Sequence, residues 1–115
     1  MLTINTEFRK GILFVRLEGI LSDDTCDNLK IFLDDMIGSN NVCFVVFNIE
    51  KLNYIDLDGI NLLIKYNKLL EQKKGRALVC GISNELVKIR ITNTNMLDYM
   101  FETSDELGAI NVINL

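Results

Sequence analysis

The stretch "VCFVVFNI", residues 42–49, limits the possible folds more than any other part of the chain. Apolar and polar residues do not alternate in it, so a strand built from it must be covered on both faces. Such a strand lies in the middle of a sheet, with helices packed above and below. "RALVCGI", residues 76–82, reads as a second short buried strand. "LTINTEF" and "ILFVRLEGIL" flank Arg9-Lys10-Gly11, where Gly11 suits a turn, so they form a hairpin with antiparallel strands. In the second of these, Phe14 and Arg16 share one face, and Leu13, Val15 and Leu17 share the other.

Helical patterns separate the strands. "SDDTCDNLKIFLDDMIG" is expected to start at a Ser22 N-cap, with Asp23 and Asp24 in the first turn. Its stripe is Cys26, Leu29, Leu33, Met36 and Ile37, and Gly38 is the expected stop. "GINLLIKYNKLLEQKKG" sends Asn61, Lys65, Lys68 and Gln72 to solvent and Leu62, Leu63, Tyr66, Leu69 and Leu70 inward, with Gly75 as the end. "SNELVKIRITN" is expected to be capped by Ser83, and "SDELGAINVI" by Ser104. "TNMLDYMFET" reads as a turn or short helix. Strands alternating with helices imply parallel pairs joined by right-handed crossovers. The expected architecture is one α/β domain over residues 1–115: a small mixed β-sheet with its first strand antiparallel, packed against α-helices.

Composition excludes several functions. The net charge is −4, and no basic patch is concentrated anywhere, so nucleic acid is not an expected partner. No apolar run approaches the roughly 18–20 residues that span a bilayer. "MLTINTEFRKG" shows no secretory pattern, so the expected location is cytoplasmic, without membrane attachment. There is no histidine, which removes the usual general base and the commonest metal ligand. Cys26, Cys43 and Cys80 have no zinc spacing and read as three buried thiols.

Parallel strands bring their C-terminal ends to one edge, where α/β sheets bind their ligands. Three loops are expected there: "GILSDDT", "YIDLDGI" and "CGISNE". Asp23, Asp24, Asp56 and Asp58 fall in the first two, which raises a magnesium or phosphoaspartate site of the receiver kind. No lysine ends the "LVCGI" strand to support that chemistry, and each aspartate also reads as a helix cap. Acid/base catalysis by Asp56 and Asp58 would need a dry pocket, whereas a helix N-terminus favours the ionised form. No G-x-S-x-G elbow or glycine-rich phosphate loop is present, so no enzyme, metal or cofactor is expected.

"LEGILSDDT" followed by "VVFNIEKLNYIDLDGINLLIKYNKLLEQKKG" resembles the STAS domain of bacterial anti-sigma factor antagonists. The matching residues are Gly19, Ile20, Leu21, Ser22 and Thr25, then the run from Phe47 to Ile60. "LDYMF" and "DELGAI" resemble the family's ending. The resemblance implies the STAS fold and a binding module rather than an enzyme. It implies as partner an anti-sigma factor that is also a serine kinase, or another STAS-type protein; a homodimer is the further possibility. The partner surface it implies comprises Ser22, Asp23, Thr25, Asp56, Leu57, Asp58, Gly59, Ile60 and Asn61.

The chain departs from the family at the switch. Relatives carry a phosphorylatable serine or threonine just before the glycine, and here that position is Asp58. Leu57 replaces the preceding serine, and Ser22 replaces an aspartate. A carboxylate carries about one negative charge, against about −1.5 to −2 for a phosphoserine. Asp58 is thus either a permanent mimic of the phosphorylated state or a plain helix cap, with Ser22, Thr25 or Ser83 as other phosphorylation sites. Leu57 is expected to tuck beneath the second helix as core; the other reading is an exposed partner anchor.

Overall fold

The computed structural model describes residues 1–114. Five strands lie in the order β1-β2-β3-β4-β5. They are β1 (Leu2–Arg9), β2 (Ile12–Leu21), β3 (Phe44–Ile55), β4 (Arg76–Cys80) and β5 (Phe101–Thr103). β1 pairs antiparallel with β2, and the remaining neighbours are parallel. The helices are α1 (Cys26–Ser39), α2 (Leu57–Glu71), α3 (Glu85–Asn93) and α4 (Glu106–Ile113).

β3 sits at the centre, as its unbroken apolar run requires. Val45, Phe47 and Ile49 enter the larger core with Leu13, Val15 and Leu17 of β2 and the inner faces of α1, α2 and α3. Val46 joins Ile12, Phe14, Leu78, Cys80 and Ala109 in a smaller core beneath α4. β3 is also longer than its apolar run. It pairs with β2 as far as Leu21↔Ile55 but with β4 only as far as Asn48↔Cys80. Beyond Asn48, β2 and β3 therefore project past β4 as a two-stranded ribbon.

The structure departs from the sequence pattern at several element ends. Where the sequence pattern suggests a turn or short helix, a 3-10 turn forms at Met96–Asp98 and the three-residue strand β5 follows it. α1 begins at Cys26, with Thr25 rather than Ser22 at its N-cap position. The Thr25 hydroxyl donates to Ile20 O (2.9 Å) and accepts from Ser22 N (2.9 Å), which holds residues 22–25 in a turn. α1 also runs through Gly38, which is exposed and tolerated, and the chain turns at Asn41 with φ +55°. α3 and α4 are capped by Asn84 and Asp105, one residue beyond the expected serines. α2 ends at Glu71, before Gly75. Gly75 is still obligatory, because a Cβ there would collide with the Cys43 carbonyl. Leu69 is exposed, and only Cys80 of the three cysteines is buried.

Polar contacts also join the elements. Asn67 is buried on α2; its amide donates to Tyr99 O (2.9 Å) and accepts from Ala77 N (2.8 Å). It thereby fastens α2 to β4 and to the segment preceding β5. Asn67→Ala leaves the Ala77 N–H without its partner in the interior, so urea unfolding is expected to show a loss of about 1–3 kcal/mol.

On the opposite face, Arg16 grips Glu106 with two hydrogen bonds (2.8 and 2.9 Å) and also donates to Glu7 (2.8 Å). Asn48 donates to the same Glu106 carboxylate (2.9 Å), so the first turn of α4 is held on the sheet. The Arg16 hydrogen bonds, followed by Asn48, keep Glu106 below the usual carboxylate range despite partial burial. The stabilisation is complete above the ordinary glutamate pKa of about 4.3 and is lost as pH falls through the lowered folded value. Glu106→Gln is expected to cost about 1 kcal/mol at neutral pH, because the pair is partly solvated. The parent and variant unfolding midpoints should converge in acid.

Candidate functional site

The projecting β2–β3 ribbon ends in two turns, and Asp56 joins them. Its own N–H donates to Leu21 O at the end of β2 (3.2 Å). One carboxylate oxygen accepts from Gly59 N (2.9 Å) and caps α2. The other accepts from Asp23 N (3.0 Å) in the β2–α1 turn. A carboxylate engaged by two backbone N–H groups in this way is a structural cap and organiser. Both oxygens therefore have a role that requires neither a metal nor a phosphoryl group.

Gly59 lets α2 approach the ribbon. A Cβ at this position would lie 2.7 Å from Leu21 O and 2.9 Å from the Ile55 side chain. With Gly59 and Ile60 buried against the sheet, the outer face of the first turn and a half falls to Leu57, Asp58 and Asn61, all exposed. Leu57 is 54% exposed, which overturns the expectation that it belongs to the core. Asp58 is not the cap either: Asp56 is, and among the described residues the Asp58 side chain makes no hydrogen bond. Of the residues singled out in the sequence, Asp23, Leu57, Asp58 and Asn61 reach the surface and Ser22 is half-buried. Thr25, Gly59 and Ile60 are buried and Asp56 is half-buried, so these four shape the surface more than they present it.

The third expected loop, after β4, does not reach this level. Ser83 donates to Glu50 O (3.3 Å), well back along β3 from Ile55. It is α3 that reaches the ribbon, with the Arg90 guanidinium 5.5 Å from the Tyr54 ring centroid. Tyr54, its strand partner Ile20, and Leu86 and Ile89 of α3 are all exposed, and sequence reasoning missed this apolar company. The signal was present in α3, where Val87 and Ile91 form the buried stripe and Leu86 and Ile89 fall off it.

The electrostatic character of the edge is acidic. The Cys26 thiol is pushed up to about 11, first by burial and then by Asp56, Asp58, Asp27 and Asp23. Those four carboxylates thus act together on one point beside the junction. Among the described residues, no group of His, Cys, Asp and Glu is placed to hold a metal ion.

The sequence pattern of the STAS domain matches residues 3–109. The anti-sigma F factor antagonist of Paenibacillus polymyxa is 30% identical over 82 residues, covering 71% of this chain and 70% of that protein. An anti-sigma factor antagonist from Mycobacterium paratuberculosis superposes with a TM-score of 0.84 at 13% identity, covering 100% of this chain and 96% of the other. The phosphorylated form of the Bacillus cell fate determinant SpoIIAA gives 0.71 at 20% identity, covering 96% and 99%. The chain belongs to the STAS domain family, in its anti-sigma factor antagonist group. It is a non-catalytic signalling or scaffold module of the kind that works by binding a partner.

Asp56→Ala removes both carboxylate bonds at the junction. The expected loss is roughly 0.5–2 kcal/mol, the usual worth of an N-cap. Hydrogen exchange should also quicken at the Asp23 amide, which a cap acting on α2 alone would leave unchanged.

Proposed function

We propose that the junction is the docking face for an anti-sigma factor with serine-kinase character, and that its occupancy regulates sigma-factor-dependent transcription. The observation that carries this reading is an exposed pair, Leu57 and Asp58, on a helix turn whose capping is done by Asp56. Neither side chain has a task in the fold. An exposed leucine beside Asp23, Asp58 and Asn61 offers an apolar anchor within a polar, acidic rim, which is how protein interfaces concentrate affinity. The acidic field at Cys26 favours a partner with a basic contact surface.

In this reading Asp58 holds a fixed charge at the position where relatives add and remove one. The exposed first turn accommodates it, because negative charge is favourable at a helix N-terminus. The chain would then stand permanently in the state that phosphorylation gives its relatives. Ser22 and Ser83 remain candidates for a removable charge; the Thr25 hydroxyl is buried and engaged on both sides.

Co-purification from native extract, followed by calorimetry with the recovered partner, tests the proposal. Leu57→Ala should weaken binding by about tenfold, the cost of a modest interface anchor, without changing the unfolding midpoint. Asp58→Ser should create a substrate for a cognate kinase and shift the partner affinity. Equal binding by Asp58→Ser, Asp58→Ala and the parent would exclude control by charge at this position. Recovery of another STAS-type protein instead of a kinase would assign the junction to a scaffold.

A further inference from the structure

α4 is held differently from the other helices. α1, α2 and α3 share the larger core, whereas α4 covers a smaller core on the opposite face of the sheet. Among the described residues, Ala109 is the one buried residue that α4 contributes. Ile110, Val112 and Ile113 pack there half-buried, and Leu107 is 66% exposed. Beneath them lie Ile12, Phe14, Val46, Leu78 and Cys80, all fully buried. An eight-residue helix has little stability of its own. The preceding β5 has three residues and pairs only with β4. α4 thus closes over an apolar strip of sheet with little apolar purchase in return.

Its polar attachment to the sheet is concentrated at one residue. Glu106 accepts two hydrogen bonds from Arg16 and one from Asn48, which lie 90 and 58 positions away in the chain. This clasp is not sealed from water. It forms one wall of an open cleft of about 500 Å³, whose other walls include Thr3, Asn5, Glu18 and Lys51. We propose that α4 is a latch. When the Glu106 clasp is released, α4 opens and melts as a unit while the rest of the fold stays intact. The strip formed by Ile12, Phe14, Val46 and Leu78 then comes to the surface. Such opening below the level of global unfolding belongs to segments with few buried apolar contacts. The larger core survives it, because no described residue of α4 belongs to that core. The docking junction is built on α2, across the sheet, so the two readings stand or fall separately.

Cys80 reports the opening, because its thiol lies under α4 with the strip. Pulse alkylation of the full chain over a urea series, with each cysteine resolved by peptide mass spectrometry, tests the latch. Cys80 should be labelled at least about tenfold faster than global unfolding allows, with a shallower dependence on urea. Hydrogen exchange at the α4 amides should show the same shallow dependence. Glu106→Gln should speed both by about fivefold. Ile37→Val, on the inner face of α1, should lower the midpoint of global unfolding and leave both unchanged. Asn111→Ala, at an exposed position of α4, raises helix propensity and should slow both by about twofold. It serves as the test if Glu106→Gln does not fold. Cys80 labelled only at the rate of global unfolding overturns the proposal. So does local labelling that is indifferent to both Glu106→Gln and Asn111→Ala.

Discussion

The junction depends on one carboxylate shared between two turns. Asp56 receives the N–H of Gly59 and the N–H of Asp23, and its own N–H reaches the end of β2. Without it, the β2–α1 turn and the start of α2 would be separate loops, each free to choose its own path. With it, they form one surface whose shape is set by the backbone. The close approach permitted by Gly59 serves the same end, since α2 can then lie directly on the ribbon.

A similar economy of polar contacts runs through the rest of the molecule. Asn67 fastens α2 to β4, Thr25 closes the turn before α1, and Asn48 helps Arg16 hold α4. Each sits between elements that apolar packing alone would leave free to slide. The apolar cores supply the driving force, and these directional contacts select one arrangement of the layers.

The sheet and its layers were legible in the sequence because burial leaves a pattern. The unbroken run of β3 announced two covered faces, and the Gly11 hairpin announced the antiparallel β1. Helix starts were less legible, since each offered neighbouring candidates and the path of the loop made the choice. Asn84 and Asp105 cap where Ser83 and Ser104 stand one residue too early to reach the right N–H groups. β5 left no readable pattern in three residues. Leu57 misled because residue type alone suggests burial. Its exposure follows from the phase of α2, which turns Gly59 and Ile60 inward and so turns residues 57, 58 and 61 outward. The projection of β3 past β4 was hidden as well, because "EKLNYI" alternates imperfectly and resembles a loop.

The division of labour between Asp56 and Asp58 has a consequence for how such a module can diverge. Side-chain capping of α2 falls on Asp56, so position 58 has no capping duty in the fold. An exposed serine, threonine or aspartate there meets no steric demand from the core. Under the function proposed above, a lineage could exchange a reversible signal for a constant one by a single substitution at this position. Regulation of the proposed kind would then be an ornament on a finished helix, lost or regained without refolding the protein that carries it.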